Sequence, residues 1–97
     1  MNEFRHRRYQ RDPALIAQEA LDETIVVPLG QSGGAHAAPY VLNEVAGYIW
    51  SLLDGERTVA DIAALIAARY EVSPEEAERD VSAFLGEMER LGVVYAV

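Results

Sequence analysis

The hydrophobic patterning of this 97-residue chain predicts an α+β fold, winged-helix-like, with a three-stranded antiparallel sheet followed by three helices. Two features carry that prediction. The first 42 residues contain short β-branched runs broken by glycine and proline, whereas residues 43–91 contain three apolar stripes at helical spacing, each opened by a capping residue. Length points to one domain with one hydrophobic core.

Taken in order, residues 14–21 are apolar-rich and loosely alternating, and Asp22 and Glu23 separate them from the run TIVVPL at 24–29, which reads as a strand. A hairpin is the simplest connection. Ile25, Val27 and Leu29 share one face of that strand, and Pro28 has no N–H to give to a ladder. Residues 30–39, GQSGGAHAAP, have the composition of a loop. Tyr40, Val41 and Leu42 form a short third strand. Asn43 caps a first helix with the stripe Val45, Ile49, Leu52 and Leu53, stopped at Gly55. Thr58 caps a second, with Asp61 completing a capping-box variant and Val59, Ile62, Ala63, Ile66 and Tyr70 buried. Ser73, Pro74, Glu75 and Glu76 open a third, whose apolar face is Ala77, Val81, Phe84, Leu85, Met88 and Leu91, and Gly92 ends it. The tail at 93–97, VVYAV, is strand-like and needs cover. Three strands leave two sheet edges, which a protein either protects or uses.

Composition narrows function. Residues 1–12 carry a net charge of +2 and residues 13–97 a net charge of −10. The basic stretch at 1–12 reads as a flexible arm, either a solubilising frayed terminus or a contact for an acidic partner, ahead of a single domain at 13–97. So acidic a body repels phosphate backbones, which sets nucleic-acid binding at a disadvantage. No run of about 18 apolar residues suggests a membrane span, and the arm lacks a signal-peptide pattern, so the expected location is cytoplasmic. Cysteine is absent, which excludes disulfides and thiol chemistry.

Catalytic candidates are few. His6 and His36 stand thirty residues apart without partners at ligand spacing, so no metal site and no cofactor is expected. None of Ser32, Ser51 and Ser73 lies in a nucleophile-elbow pattern. The glycines at 30, 33 and 34 join two strands, and the chain has no lysine, which argues against a phosphate loop. Helices two and three have the outline of a helix-turn-helix, and a winged-helix DNA-associated regulatory module is the alternative reading. Against it, the third helix carries Glu75, Glu76, Glu78, Asp80, Glu87 and Glu89 with only Arg79 and Arg90, the wrong sign for reading bases.

The stretch from Tyr40, Val41, Leu42, Asn43 and Glu44 to Tyr48, Ile49 and Trp50 resembles the PqqD family. The resemblance continues through Leu53, Asp54, Gly55, Thr58 and Val59, then Asp61, Ile62, Tyr70, Asp80, Val81, Phe84, Leu85 and Gly92, and spans residues 13–94. It implies a non-catalytic recognition element for ribosomally synthesised, modified peptides, which holds the leader of a precursor peptide for a maturation enzyme such as a radical-SAM enzyme, a cyclase or a peptidase. In that family the leader adds as a further strand beside the third strand, in a groove walled by the third helix. Carried onto this sequence, the peptide-binding residues are Tyr40, Val41 and Leu42 on the strand and Arg79, Asp80, Ala83, Phe84 and Glu87 on the helix. The chain departs from the family in its loop at 30–39 and its apolar tail. That tail suits pairing with a sheet edge, in cis as a lid or in trans as a homodimer contact, or packing against the helices.

Overall fold

The computed structural model describes residues 3–13, 15–20, 23–28 and 40–97. After a 3-10 turn at Glu3–His6 come β1 (Arg8–Arg11), β2 (Leu15–Ala20), β3 (Glu23–Pro28), β4 (Tyr40–Leu42) and α1 (Glu44–Ser51). The remaining elements are β5 (Asp54–Thr58), α2 (Val59–Tyr70), α3 (Pro74–Arg90) and β6 (Val94–Ala96). The α+β prediction holds, as does an antiparallel sheet in the order β2-β3-β4 ahead of three helices.

The structure adds a second antiparallel sheet, in the order β5-β1-β6. It overturns the frayed-arm expectation for residues 3–11. β1 is the middle strand, and Tyr9 is only 1% exposed within the core cluster. Arg8 and Gln10 are exposed while Tyr9 is buried, so one aromatic residue between solvated neighbours anchors a strand that composition alone disguises as a basic arm. The Tyr9 hydroxyl donates to Glu89 Oε1 of α3 at 3.1 Å, and Arg5 pairs with Glu78 of α3 at 3.2 Å. The tail pairs in cis with β1, Tyr95 opposite Gln10 and Val94 opposite Arg11, rather than with β4. Val97 N–H donates to Arg8 O at 2.8 Å.

Helix starts agree with the sequence. Asn43 Oδ1 accepts from Ala46 N–H, Thr58 and Asp61 form a reciprocal capping box, and Ser73 Oγ accepts from Glu76 N–H. α1 ends at Leu52, and the stretch where a helix stop was expected at Gly55 continues as β5, because Gly55 at φ 80° lets the chain reverse and pair with β1. α2 ends at Glu71, which holds a left-handed backbone at φ 55°. The core gathers Ile49, Trp50, Ile62, Ile66, Val81 and Leu85 with Tyr9 and Val94, joining helices to both sheets. Among the described residues no helix is long and apolar enough to cross a membrane. The loop expected at 30–39, with Ser32 and His36, lies outside the described residues.

Candidate functional site

The helix after β4 holds that strand in place. Asn43 ends the strand by capping α1, and α1 lies against the inner face of the sheet so closely that a Cβ at Gly47 would overlap Thr24 Oγ1. Register fixes the two faces: Tyr40 stands opposite Val26 and Leu42 opposite Thr24, and Val26, Leu42 and Thr24 are buried. Val41 stands opposite Ile25 on the other face and is 59% exposed. Among the described residues β4 pairs with β3 alone, so its far margin carries no strand. Backbone groups alternate in direction along a strand, so this margin offers either the N–H and C=O of Val41 or those of Tyr40 and Leu42. The Tyr40 hydroxyl is buried and has no hydrogen-bond partner among the described residues. A buried group in that condition costs about 1–3 kcal/mol.

The other candidate wall is α3. Its core face is Ala77, Val81, Leu85 and Met88. At 100° per residue two flanks lie beside this face. One carries Glu78 and Glu89, which Arg5 and Tyr9 engage from the N-terminal segment. The opposite flank carries Asp80, Phe84 and Glu87, with Ala83 farther round, and among the described residues none of these side chains makes a hydrogen bond or ion pair. Phe84 is partly buried and packs against the core cluster, while Asp80, Ala83 and Glu87 are exposed. Arg79 lies nearly opposite the core face, one turn from Ala83. Helical phase thus sets Asp80, Phe84 and Glu87 along one flank and places Ala83 and Arg79, one turn apart, farther round toward solvent. That ordering was available in the sequence, because buried Ala77, Val81 and Leu85 already fix the phase.

Several titratable groups depart from their ordinary values. Burial, reinforced by Glu89 and opposed by Arg7, raises the Tyr9 hydroxyl above its ordinary value. Backbone N–H groups of Arg57 and Glu56 lower Asp54, and those of Thr58 lower Asp61. These three groups hold the core, a turn and a helix cap. A cleft of about 220 Å³ lies between sheet and helices at the β2–β3 turn end, lined by Glu19, Glu23, Glu44, Tyr48, Arg69 and Tyr70. There the Arg69 guanidinium sits 4.5 Å from the Tyr48 ring centre. Among the described residues no three histidine or acidic side chains gather as a metal site.

Comparison with known proteins matches residues 23–94 to the family model of coenzyme PQQ synthesis protein D (PqqD). The chain belongs to the PqqD family. Among solved structures it is similar to one described as TbiB1 in complex with the TbiA(beta) leader peptide, at 26% identity and a TM-score of 0.74, covering 91% of this chain and 99% of that one. It also shares the fold of a lasso peptide synthetase B1 complexed with the leader peptide, at 22% identity and a TM-score of 0.75, covering 91% of this chain and 98% of that one. No curated protein matches the sequence. The family expectation from the motifs around Asn43, Asp54 and Asp80 is therefore met.

Proposed function

We propose that this PqqD-family protein is a non-catalytic adaptor that binds the leader of a ribosomally synthesised precursor peptide and presents it to a maturation enzyme in the cytoplasm. The leader adds as a strand along the open margin of β4, and α3 walls the groove. The observation that carries the reading is that margin, unpaired among the described residues, in a fold similar to two proteins solved with leader peptides.

Magnitudes divide the labour. Two to four backbone groups at about 0.5–1.5 kcal/mol each supply roughly 1–6 kcal/mol, while a micromolar complex needs about 8 kcal/mol. Apolar leader side chains supply the remainder, at about 25 cal/mol per Å² buried. Tyr40, Val41 and Leu42 furnish the strand, and Asp80, Ala83, Phe84 and Glu87 furnish the wall. Arg79 stands one turn from Ala83, at the outer rim of that wall. Asp80 and Glu87 favour a leader with a cation beside its apolar anchors.

The test is titration of a labelled leader against the full chain at low and high salt, with hydrogen exchange read at residues 40–42. Binding that weakens little with salt and slows exchange on β4 is expected, whereas a DNA-binding module shows steep salt dependence. Ala83→Arg, at an exposed position, should weaken the leader at least tenfold. A bound leader that protects no amide on β4 defeats the proposal.

A further inference from the structure

Sheet β2-β3-β4 has a second surface that the leader groove does not use. Its inner face meets α1, and its outer face carries an apolar stripe beside the polar Gln18 and Glu23. Register places Ile16 opposite Val27 and Ile25 opposite Val41, with Ile25 and Val27 two residues apart on one strand. These four form one apolar stripe across three strands. Ile16 is 48% exposed and Val41 59%, while Ile25 and Val27 are half-buried. An antiparallel sheet with one face on its core ordinarily alternates to polar residues outside, and a contiguous exposed apolar patch marks an interaction surface.

Two features select the occupant. Glu23 begins the same outward row, and with Glu19 and Glu44 it forms the acidic lip of the cleft at the β2–β3 turn end. Residues 13–97 carry a net charge of −10, so a second copy brings like charge against like, whereas a partner with Arg or Lys beside an apolar centre is complementary. The stripe is also continuous with the proposed leader margin, since Val41 belongs to β4. A leader strand added there widens the sheet, and its outward side chains stand beside Val41.

We infer that the outer face of β2-β3-β4 is the docking surface for the maturation enzyme, which reads a composite sheet of three strands from this chain and one from the leader. The inference rests on the leader-binding reading. It requires that leader and enzyme each raise the affinity of the other by the same factor. The partner surface is apolar at its centre and basic toward the β2–β3 turn.

The experiment uses the full chain, a synthetic leader from its own precursor and the purified enzyme that modifies that precursor. Ile16→Arg and Glu23→Arg, both at exposed positions away from β4 and α3, are compared with wild type. Leader affinity is read by anisotropy, enzyme association by interferometry with and without leader, and self-association by sedimentation. Leader affinity should stay within about twofold for both variants. Enzyme association should fall at least tenfold for Ile16→Arg, and severalfold for Glu23→Arg with a smaller loss at high salt. Undiminished enzyme binding by Ile16→Arg overturns the docking surface, as does a wild-type dimer that Ile16→Arg dissolves, which assigns the stripe to a second copy. Failure of wild type to bind any leader removes the adaptor reading and this one together, whereas intact leader binding with unaltered enzyme binding removes only this one.

Discussion

Tyr9→Ala distinguishes a structural first strand from a frayed arm. The ring is 1% exposed, its centre lies 5.9 Å from that of Phe4, and its hydroxyl donates to Glu89 Oε1 at 3.1 Å. Truncating a buried aromatic residue to alanine costs about 3–5 kcal/mol, a large share of the roughly 5–15 kcal/mol that holds a domain together. Tyr9→Phe keeps the ring and removes one hydrogen bond. Glu89 is exposed and regains water, so that change should cost about 1 kcal/mol or less. Urea unfolding followed by Trp50 fluorescence measures both, because this single tryptophan is buried in the same core cluster. The expected order is a large drop in midpoint for Tyr9→Ala and a small one for Tyr9→Phe, with similar slopes. If both variants lie within about 0.5 kcal/mol of wild type, as surface substitutions do, β1 does not form part of the cooperative unit.

Local geometry sets the remaining expectations. Gly47→Ala should destabilise by about 1–3 kcal/mol, despite the better helix propensity of alanine, because the added methyl meets Thr24; stabilisation in thermal unfolding refutes that close approach. Glu71→Gly should raise stability by up to about 1 kcal/mol, since Glu71 holds φ 55° at the end of α2, and an unchanged midpoint counts against a left-handed cap. Thr58→Ala should cost about 1 kcal/mol by removing half of the capping box, read as a lower urea midpoint. For pH, the raised Tyr9 hydroxyl contributes stability that is whole below about pH 10 and is lost as pH rises through its higher folded value, so Tyr9→Phe should flatten the alkaline limb. The lowered Asp54 and Asp61 act in the opposite window, contributing above about pH 4 and losing that contribution as pH falls through their folded values.

The legible parts of this fold are those whose signals are local. Asn43, Thr58 and Ser73 mark their helices because a cap acts within three residues, and Ile25 with Val27 marks β3 because β-branching acts within one. The second sheet has no such signal. Its pairs join Arg8 to Thr58 and Tyr9 to Ala96, separations that no periodicity reports. β1 reads as RYQR, a charged segment with one aromatic residue, and β5 as DGERT, a turn by composition, so only partners distant in sequence make them strands. The apolar tail was legible as a strand, but its partner was not. At the candidate site the strand Tyr40, Val41 and Leu42 followed from sequence, and helical phase sets Asp80, Phe84 and Glu87 along one flank of α3 with Ala83 and Arg79 farther round.

On the proposed reading, the two sheets divide stability from recognition. β1 takes β5 on one side and β6 on the other, which fastens both ends of the described chain to the helices and occupies the apolar tail. Had that tail paired with β4, the protein itself would fill the margin proposed for the leader. With the tail held elsewhere, sheet β2-β3-β4 keeps the far sides of β2 and β4 unpaired among the described residues. β4 is three residues long, so main-chain pairing there is too small and too indifferent to sequence to choose one precursor among many. On the proposed leader-binding reading, choice falls to side chains beside that short ladder, above all Ala83, Phe84 and Glu87 of α3. Because Ala83 and Glu87 are exposed and lie outside the core cluster, exchanging them between family members should exchange leader preference without moving the unfolding midpoint.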